Sequence, residues 1–208
     1  MTPRHLFRRG MAALLALGVT APMLAGQGTD PLAKLDTASR RVVLALVDSA
    51  NAEGLPTAPI VSKAQEGVSK HAAGPLIARV VRTVFLSLRE ARATLGEHAN
   101  RDELTAGAAA LQAGIPATAL IDLRQAGHGK SITVPLVVLA DLVSRGVPRD
   151  TASRAILQLW MGGAGEADLM GLSQSVGQDI LSGAAPADAL LSRARKVPIR
   201  LPPAKVPE

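Results

Sequence analysis

A short pattern that recurs along the chain, glycine followed by an apolar residue and then proline, restricts what this sequence can fold into. It occurs as Gly-Leu-Pro at 54–56, Gly-Ile-Pro at 114–116 and Gly-Val-Pro at 146–148, with a looser copy, Gly-Ala-Ala-Pro, at 183–186. Glycine adopts the left-handed conformation that closes a helix C-terminus, and the apolar residue after it folds back on the last turn. Proline suits the first position of the next helix, where its missing N–H costs nothing. The pattern therefore predicts helices paired by tight turns.

Composition agrees with this prediction. The chain has 208 residues, no cysteine and no tyrosine, and its aromatic residues are Phe7, Phe85 and Trp160, so the aromatic residues that favour sheets are scarce. Apolar periodicity predicts an all-α fold of about nine short amphipathic helices in helical hairpins. We expect these helices at 37–53, 57–71, 74–95, 101–113, 116–126, 132–145, 148–161, 166–182 and 186–196.

Two patterns bear on how the helices pack. The stretch 132–145 is apolar nearly all round, with Asp141 as its one charge, so we expect this helix to be central. The glycines at 114, 146 and 183 are separated by intervals typical of helical-hairpin repeats, but the side chains of the units differ. An irregular α-array and a compact orthogonal bundle therefore both remain open. The link at 96–100 is a possible boundary between subdomains.

The N-terminal segment predicts export. Residues 1–10 are cationic and contain no acid, an apolar run follows, and small residues lead to Gly26. This order is typical of a secretory signal peptide over 1–26, followed by a disordered linker at 27–36 and a single helical domain at 37–197. Gln27 stands where a lipoprotein would carry its cysteine, which excludes lipid attachment at that point. Retention of the segment as an anchor stays open, and we expect a periplasmic or secreted protein.

The net charge of +6 describes the two ends of the chain more than its middle. Half of it comes from Arg4, Arg8 and Arg9 in the predicted signal. The last sixteen residues, which include the flexible, basic, proline-rich tail at 198–208, carry a net charge of +4, so residues 10–192 have a net charge of −1. The middle is nearly neutral. We therefore expect no nucleic-acid partner.

No set of catalytic or metal-binding residues is visible in the sequence. Gly129-Lys130-Ser131 resembles the end of a phosphate-binding P-loop, but Arg124 stands where that motif needs another glycine. His71, His98 and His128 lie far apart and lack carboxylates at helical spacing, so we expect no metal ligands. The chain is thus expected to be no enzyme and to use no cofactor.

Two weak binding sites remain as hypotheses. The first is a basic stripe, in which Lys63 and Lys70 share a face of one helix and join four arginines of the next, Arg79, Arg82, Arg89 and Arg92. If the helices form a hairpin, these six cations could bind anionic lipid or a small anionic ligand.

The second hypothetical site is a loop that leads into a helix. It comprises His128, Gly129, Lys130 and Ser131, with Arg124 nearby. Free N–H groups at the start of a helix, together with these cations, could hold a phosphate or a carboxylate.

These observations lead to two alternatives for function. The first is a non-enzymatic protein-interaction module whose partner is another protein, because paired helices provide grooves. The alternative is a binder of an anionic membrane surface or of a small anionic ligand through the basic helix face.

Overall fold

The computed structural model describes residues 32–199, which belong to one compact unit. This part of the chain contains nine α-helices and no strand, so the predicted all-α fold is confirmed. The predicted signal at 1–26, the linker residues before Leu32 and the tail from Arg200 onward lie outside the described residues. The helices are α1 Thr37–Ala52, α2 Ala58–Ser69, α3 Gly74–Leu95, α4 Arg101–Gln112, α5 Ala117–Ala126, α6 Thr133–Ser144, α7 Arg149–Met161, α8 Glu166–Leu181 and α9 Pro186–Ala194.

The recurring glycines close helices as the sequence predicts. Gly54 has a φ of 66°, its N–H donates to the carbonyl of Asn51 at 3.1 Å, and the N–H of Leu55 donates to the carbonyl of Ala50 at 2.8 Å. This pair of bonds is the Schellman motif, which satisfies two carbonyls at the end of the helix. Leu55 is buried, so the turn is also anchored in the core. The same pair of bonds ends the helices that precede Gly114, Gly146, Gly163 and Gly183.

The prolines of the pattern lie differently from the prediction. Only Pro186 occupies the first turn of its helix, whereas Pro116 and Pro148 are N-cap residues and Pro56 precedes the N-cap Thr57. Pro116 has a φ of −68° and a ψ of 147°, the extended conformation that an N-cap residue adopts. The fixed φ of proline suits that position as well as the first helical one, so the helices begin one or two residues later than expected.

The C-terminus of α2 is capped without a glycine. His71 follows α2 with a φ of 54°, its N–H donates to the carbonyl of Val68, and the N–H of Ala72 donates to the carbonyl of Gly67. This is another Schellman motif, with histidine where glycine is usual. A left-handed histidine is not predictable from the sequence because the residue more often adopts other conformations.

The helices form two rows that progress along the chain. In the odd row, α1, α3, α5, α7 and α9 each contact the next odd helix, and in the even row α4 contacts α6 and α6 contacts α8. Among the described helices, extensive contacts join only those one or two positions apart in chain order. This connectivity is that of an array rather than a compact bundle, and thus decides between the two alternatives. α3 and α4 pack directly on one another across the link at 96–100.

The burial of α6 agrees with its apolar sequence, since it packs on α4, α7 and α8 and buries Leu136 and Leu139, although Val137 is exposed. α3, whose 22 residues extend over about 33 Å, packs on α1, α2, α4 and α5. One expectation needs correction, because the last part of the predicted linker is ordered: Leu32 and Leu35 are buried, and Asp36 caps α1 by accepting from the N–H of Ser39.

Candidate functional site

The two lysines of the predicted basic stripe surround a carboxylate of their own helix. Lys63 and Lys70 lie 2.7 Å and 2.5 Å from the carboxylate of Glu66, one on each of its oxygens. Hydrogen bonds from Lys63 and then from Lys70 lower the pKa of Glu66 to about 2, so the group stays ionised. The cluster of two lysines and one glutamate therefore carries a single net positive charge.

Two of the four arginines contact the turn after α1. The guanidinium of Arg89 lies 3.0 Å from the carboxylate of Glu53, and that of Arg92 donates to the carbonyls of Gly54 and Glu97. Arg89 also lies over the ring of Phe85, 5.8 Å from its centroid. These contacts hold both side chains against the chain's own surface.

The structure does not bring the six cations together. Lys63 and Lys70 line a hollow with Val80 of α3. Arg89 lies nine residues after Val80, which at 3.6 residues per turn directs the two side chains about half a turn apart. The lysines and Arg89 therefore lie on opposite flanks of α3. Arg79 and Arg82 are exposed and have no ion pair in the described part of the chain.

In the predicted anion-binding loop, the strongest donors already hold a carboxylate. Arg124 donates to both oxygens of Glu103, at 3.0 Å and 2.9 Å, and the N–H of Ile132, just before α6, donates to the same carboxylate at 3.1 Å. The N–H of Asn100 adds a fourth bond at 3.1 Å and completes a capping box at the start of α4. These donors therefore bind a carboxylate of the protein itself. Glu103 joins α4, α5 and the start of α6.

The environment of Glu103 keeps its carboxylate charged. Burial opposes ionisation, since the side chain is only 3% exposed, but the hydrogen bonds from Arg124, Ile132 and Asn100 outweigh it. The pKa of Glu103 is therefore below its usual value. A carboxylate that is buried, ionised and saturated with donors is poorly suited to accept a proton or bind a substrate.

The remaining loop residues lie on the surface. His128 and Gly129 both have positive φ, at 47° and 85°, and they turn the chain towards α6. Lys130 and Ser131 are exposed, and the Ser131 hydroxyl accepts a 3.3 Å bond from the N–H of Thr133. Binding of an external anion by this loop stays a prediction, now without the help of Arg124.

A groove that the sequence did not reveal lies where the even row is interrupted. α4 packs on α6 and α6 on α8, but α2 and α4 make no comparable contact, so Val84 of α3 is reached from the surface between them. The space holds about 250 Å³. We call it the α2–α4 groove, and its lining includes Pro59, Ser62, Lys63 and Glu66 of α2, Val84 of α3, and Thr105, Ala108, Ala109 and Gln112 of α4.

The α2–α4 groove continues along α2 into a second hollow. Lys63 and Glu66 line both spaces, and the second, of about 140 Å³, adds Leu76 and Val80 of α3. These two apolar side chains are 49% and 37% exposed. They lie four residues apart beside the buried seam of α3, and this spacing is the signal by which sequence reasoning could have found them.

The other polar clusters join helices to one another. The Ser173 hydroxyl of α8 donates to Asp141 of α6 at 2.5 Å, and Arg145 donates to the same carboxylate at 2.8 Å. Arg193 of α9 makes two bonds of 2.6 Å to Asp179 of α8. The Ser173 hydroxyl therefore shares its carboxylate partner with Arg145 and joins α8 to α6.

Neither a metal site nor a membrane span is found in the described part of the chain. Residues 32–199 contain no group of three or more histidine, cysteine, aspartate or glutamate side chains able to hold a metal ion. Within the same range, no helix has the length and apolar character needed to cross a bilayer.

No family model, curated protein or solved structure matches this chain. Function is therefore inferred from the geometry of the chain itself.

Proposed function

We propose that the chain is an exported, non-enzymatic protein-interaction module, and that it binds its partner in the α2–α4 groove. The observation that supports this proposal is the interruption of the even row between α2 and α4. There α2 and α4 lack the extensive contact that joins α4 to α6 and α6 to α8, and Val84 forms the floor of an open space. Its export rests on the predicted signal at 1–26.

The shape of the groove favours a helical segment as its occupant. Two packed helices lie 8–10 Å apart, and the approach is closest where side chains are small. The α4 wall offers Thr105, Ala108 and Ala109, and the floor is aliphatic. A helix laid in such a groove buries apolar residues at spacings of three and four, which is a common mode of peptide recognition.

Binding to an anionic membrane is less well supported. A cation near an anionic bilayer contributes about 1 kcal/mol, so six would give about 6 kcal/mol but the unpaired Arg79 and Arg82 only about 2 kcal/mol. A lipid carrier would need an enclosed apolar chamber. A hollow of about 450 Å³ beside the end of α2 is open and is lined in part by Lys34, Asp36 and His71.

Site-specific photo-crosslinking in cells that express the protein tests the proposal. A photoreactive residue replaces Thr105 in the α2–α4 groove, and in a control protein it replaces the exposed Gln178 of α8. We expect one discrete crosslinked protein from position 105, none from position 178, and loss of the product when Ala109→Arg fills the groove. Mass spectrometry distinguishes a different protein from a second copy of this chain.

Two results would overturn the proposal. Identical products from positions 105 and 178, or a product that Ala109→Arg leaves unchanged, would show that the groove is not the binding surface. Recovery of the wild-type protein in the cytosolic fraction would contradict export.

A further inference from the structure

We infer that the partner segment is an acidic amphipathic helix, with apolar residues on the side facing the groove and carboxylates along the edge next to α2. This inference rests on the proposed function, because it specifies what the α2–α4 groove and the adjoining hollow receive. It is carried by the charges that line these two spaces and by the length over which they extend.

The lining of the α2–α4 groove and the adjoining hollow carries a net positive charge. Across both spaces the ionisable side chains are Lys63, Lys70 and Glu66, so the lining is positive by one unit. Lys63 and Glu66 lie on α2 and Lys70 is its C-cap residue, while the α4 wall, with Thr105 and Gln112 as its polar residues, is neutral. A bound segment therefore meets positive charge along one edge only.

The lysines retain donors for a partner. An ammonium group has three N–H donors, and Lys63 and Lys70 each make one bond to Glu66. The Lys70 side chain is 70% exposed, so a carboxylate can reach it without displacing Glu66. A carboxylate next to each lysine would extend the alternating row of charges, whereas a cationic segment would meet like charge.

The length of the surface fits a short helix. α2 has 12 residues and is about 18 Å long, and the lining runs from Pro59 near its start to Lys70 at its end. About three turns of a partner helix cover this distance. Ala109 is exposed at one end, above the buried Val84, and Leu76 and Val80 are exposed at the other, so apolar contacts are available at both ends.

A peptide-display selection on the purified full chain tests the inference. The library presents helices of about fifteen residues with a fixed apolar stripe at spacings of three and four. The positions that flank the stripe are randomised among Glu, Lys, Gln and Ser. We expect Glu to be enriched over Lys by about tenfold at the positions on one flank.

Three variants serve as controls. The double variant Lys63→Glu, Lys70→Glu should reverse the preference towards Lys. The control Arg154→Glu, Arg195→Glu makes the same change in net charge on α7 and after α9, which do not pack on α2 or α4, and should leave the preference unaltered. Because three glutamates on one face of α2 repel each other, Lys63→Gln, Lys70→Gln provides a gentler change that should abolish the preference for Glu. Thermal unfolding of each variant shows that the fold is retained.

The outcomes separate this inference from the proposed function. Enrichment of the apolar stripe without a preference for Glu, or a preference that survives both lysine variants, would overturn the acidic partner and leave the groove as a binding site. If the wild type enriches no peptide beyond those retained by Ala109→Arg, both the acidic partner and the groove are wrong.

Discussion

Replacing Glu103 by alanine gives the most direct test of how this fold is held together. Its carboxylate accepts four hydrogen bonds, two from Arg124 and one each from the backbone N–H groups of Ile132 and Asn100. Through them it joins two helices and the residue that precedes a third. The substitution removes all four bonds and leaves their donors without an acceptor.

The expected loss of stability follows from the hydrogen-bond donors that the substitution leaves without an acceptor. Removing one partner of a buried ion pair costs about 3–5 kcal/mol, and Arg124, at 28% exposed, recovers part of this through contact with water. Ile132 is fully buried, and its orphaned N–H adds about 1–3 kcal/mol. We expect Glu103→Ala to lower the free energy of unfolding by about 4 kcal/mol, a large share of the 5–15 kcal/mol typical of a domain.

Urea unfolding followed by far-ultraviolet circular dichroism measures this loss. Asp102→Ala is the matched control, because Asp102 lies in the same first turn of α4 but is exposed, and its loss should cost under about 1 kcal/mol. In an Arg124→Ala background, Glu103→Ala should cost less than in the wild type, by about 2 kcal/mol. A loss below about 1 kcal/mol for Glu103→Ala alone would refute the interpretation of Glu103 as a structural junction.

Three further predictions concern stability. The pKa of Glu103 in the folded protein lies below its usual value of 4.5, so its contribution to stability is complete above that pH and is lost as the pH falls through the lowered pKa. In urea titrations, the difference between wild type and Glu103→Ala should therefore shrink as the pH falls below about 5. Gly54→Ala should destabilise the protein by about 1 kcal/mol, since its φ is 66° and no steric clash adds to the strain. Gly171→Ala, at an exposed position inside α8, should stabilise it by about 0.5–1 kcal/mol. Melting temperatures that change in the same direction for both variants would contradict this prediction. Ser173→Ala should cost about 1 kcal/mol by removing the bond to Asp141, and no measurable change would show that this bond contributes nothing.

The sequence alone determined where the helices are and how several of them end. Glycine is the residue that most readily adopts positive φ, so its recurrence before buried Leu55, Ile115 and Val147 predicted Schellman caps that the structure contains. Asn100 and Glu103 likewise have the spacing of a capping box, and the structure contains that motif at the start of α4, because it depends on residues three positions apart. Such features are local, and their energies depend on neighbours in the chain.

Tertiary structure decided which charges pair and where the surface is open. Arg124 was assigned to an external anion, but it binds Glu103, 21 residues away, because the fold places this side chain of α5 against the start of α4. The lysines and Arg89 were grouped on one surface, yet α1 and α2 pack on different flanks of α3 and separate them. The α2–α4 groove depends on a contact that two helices do not make, and no residue pattern encodes such an interruption. Helix ends follow from local preferences of the backbone, whereas ion pairs and grooves follow from which helix faces meet.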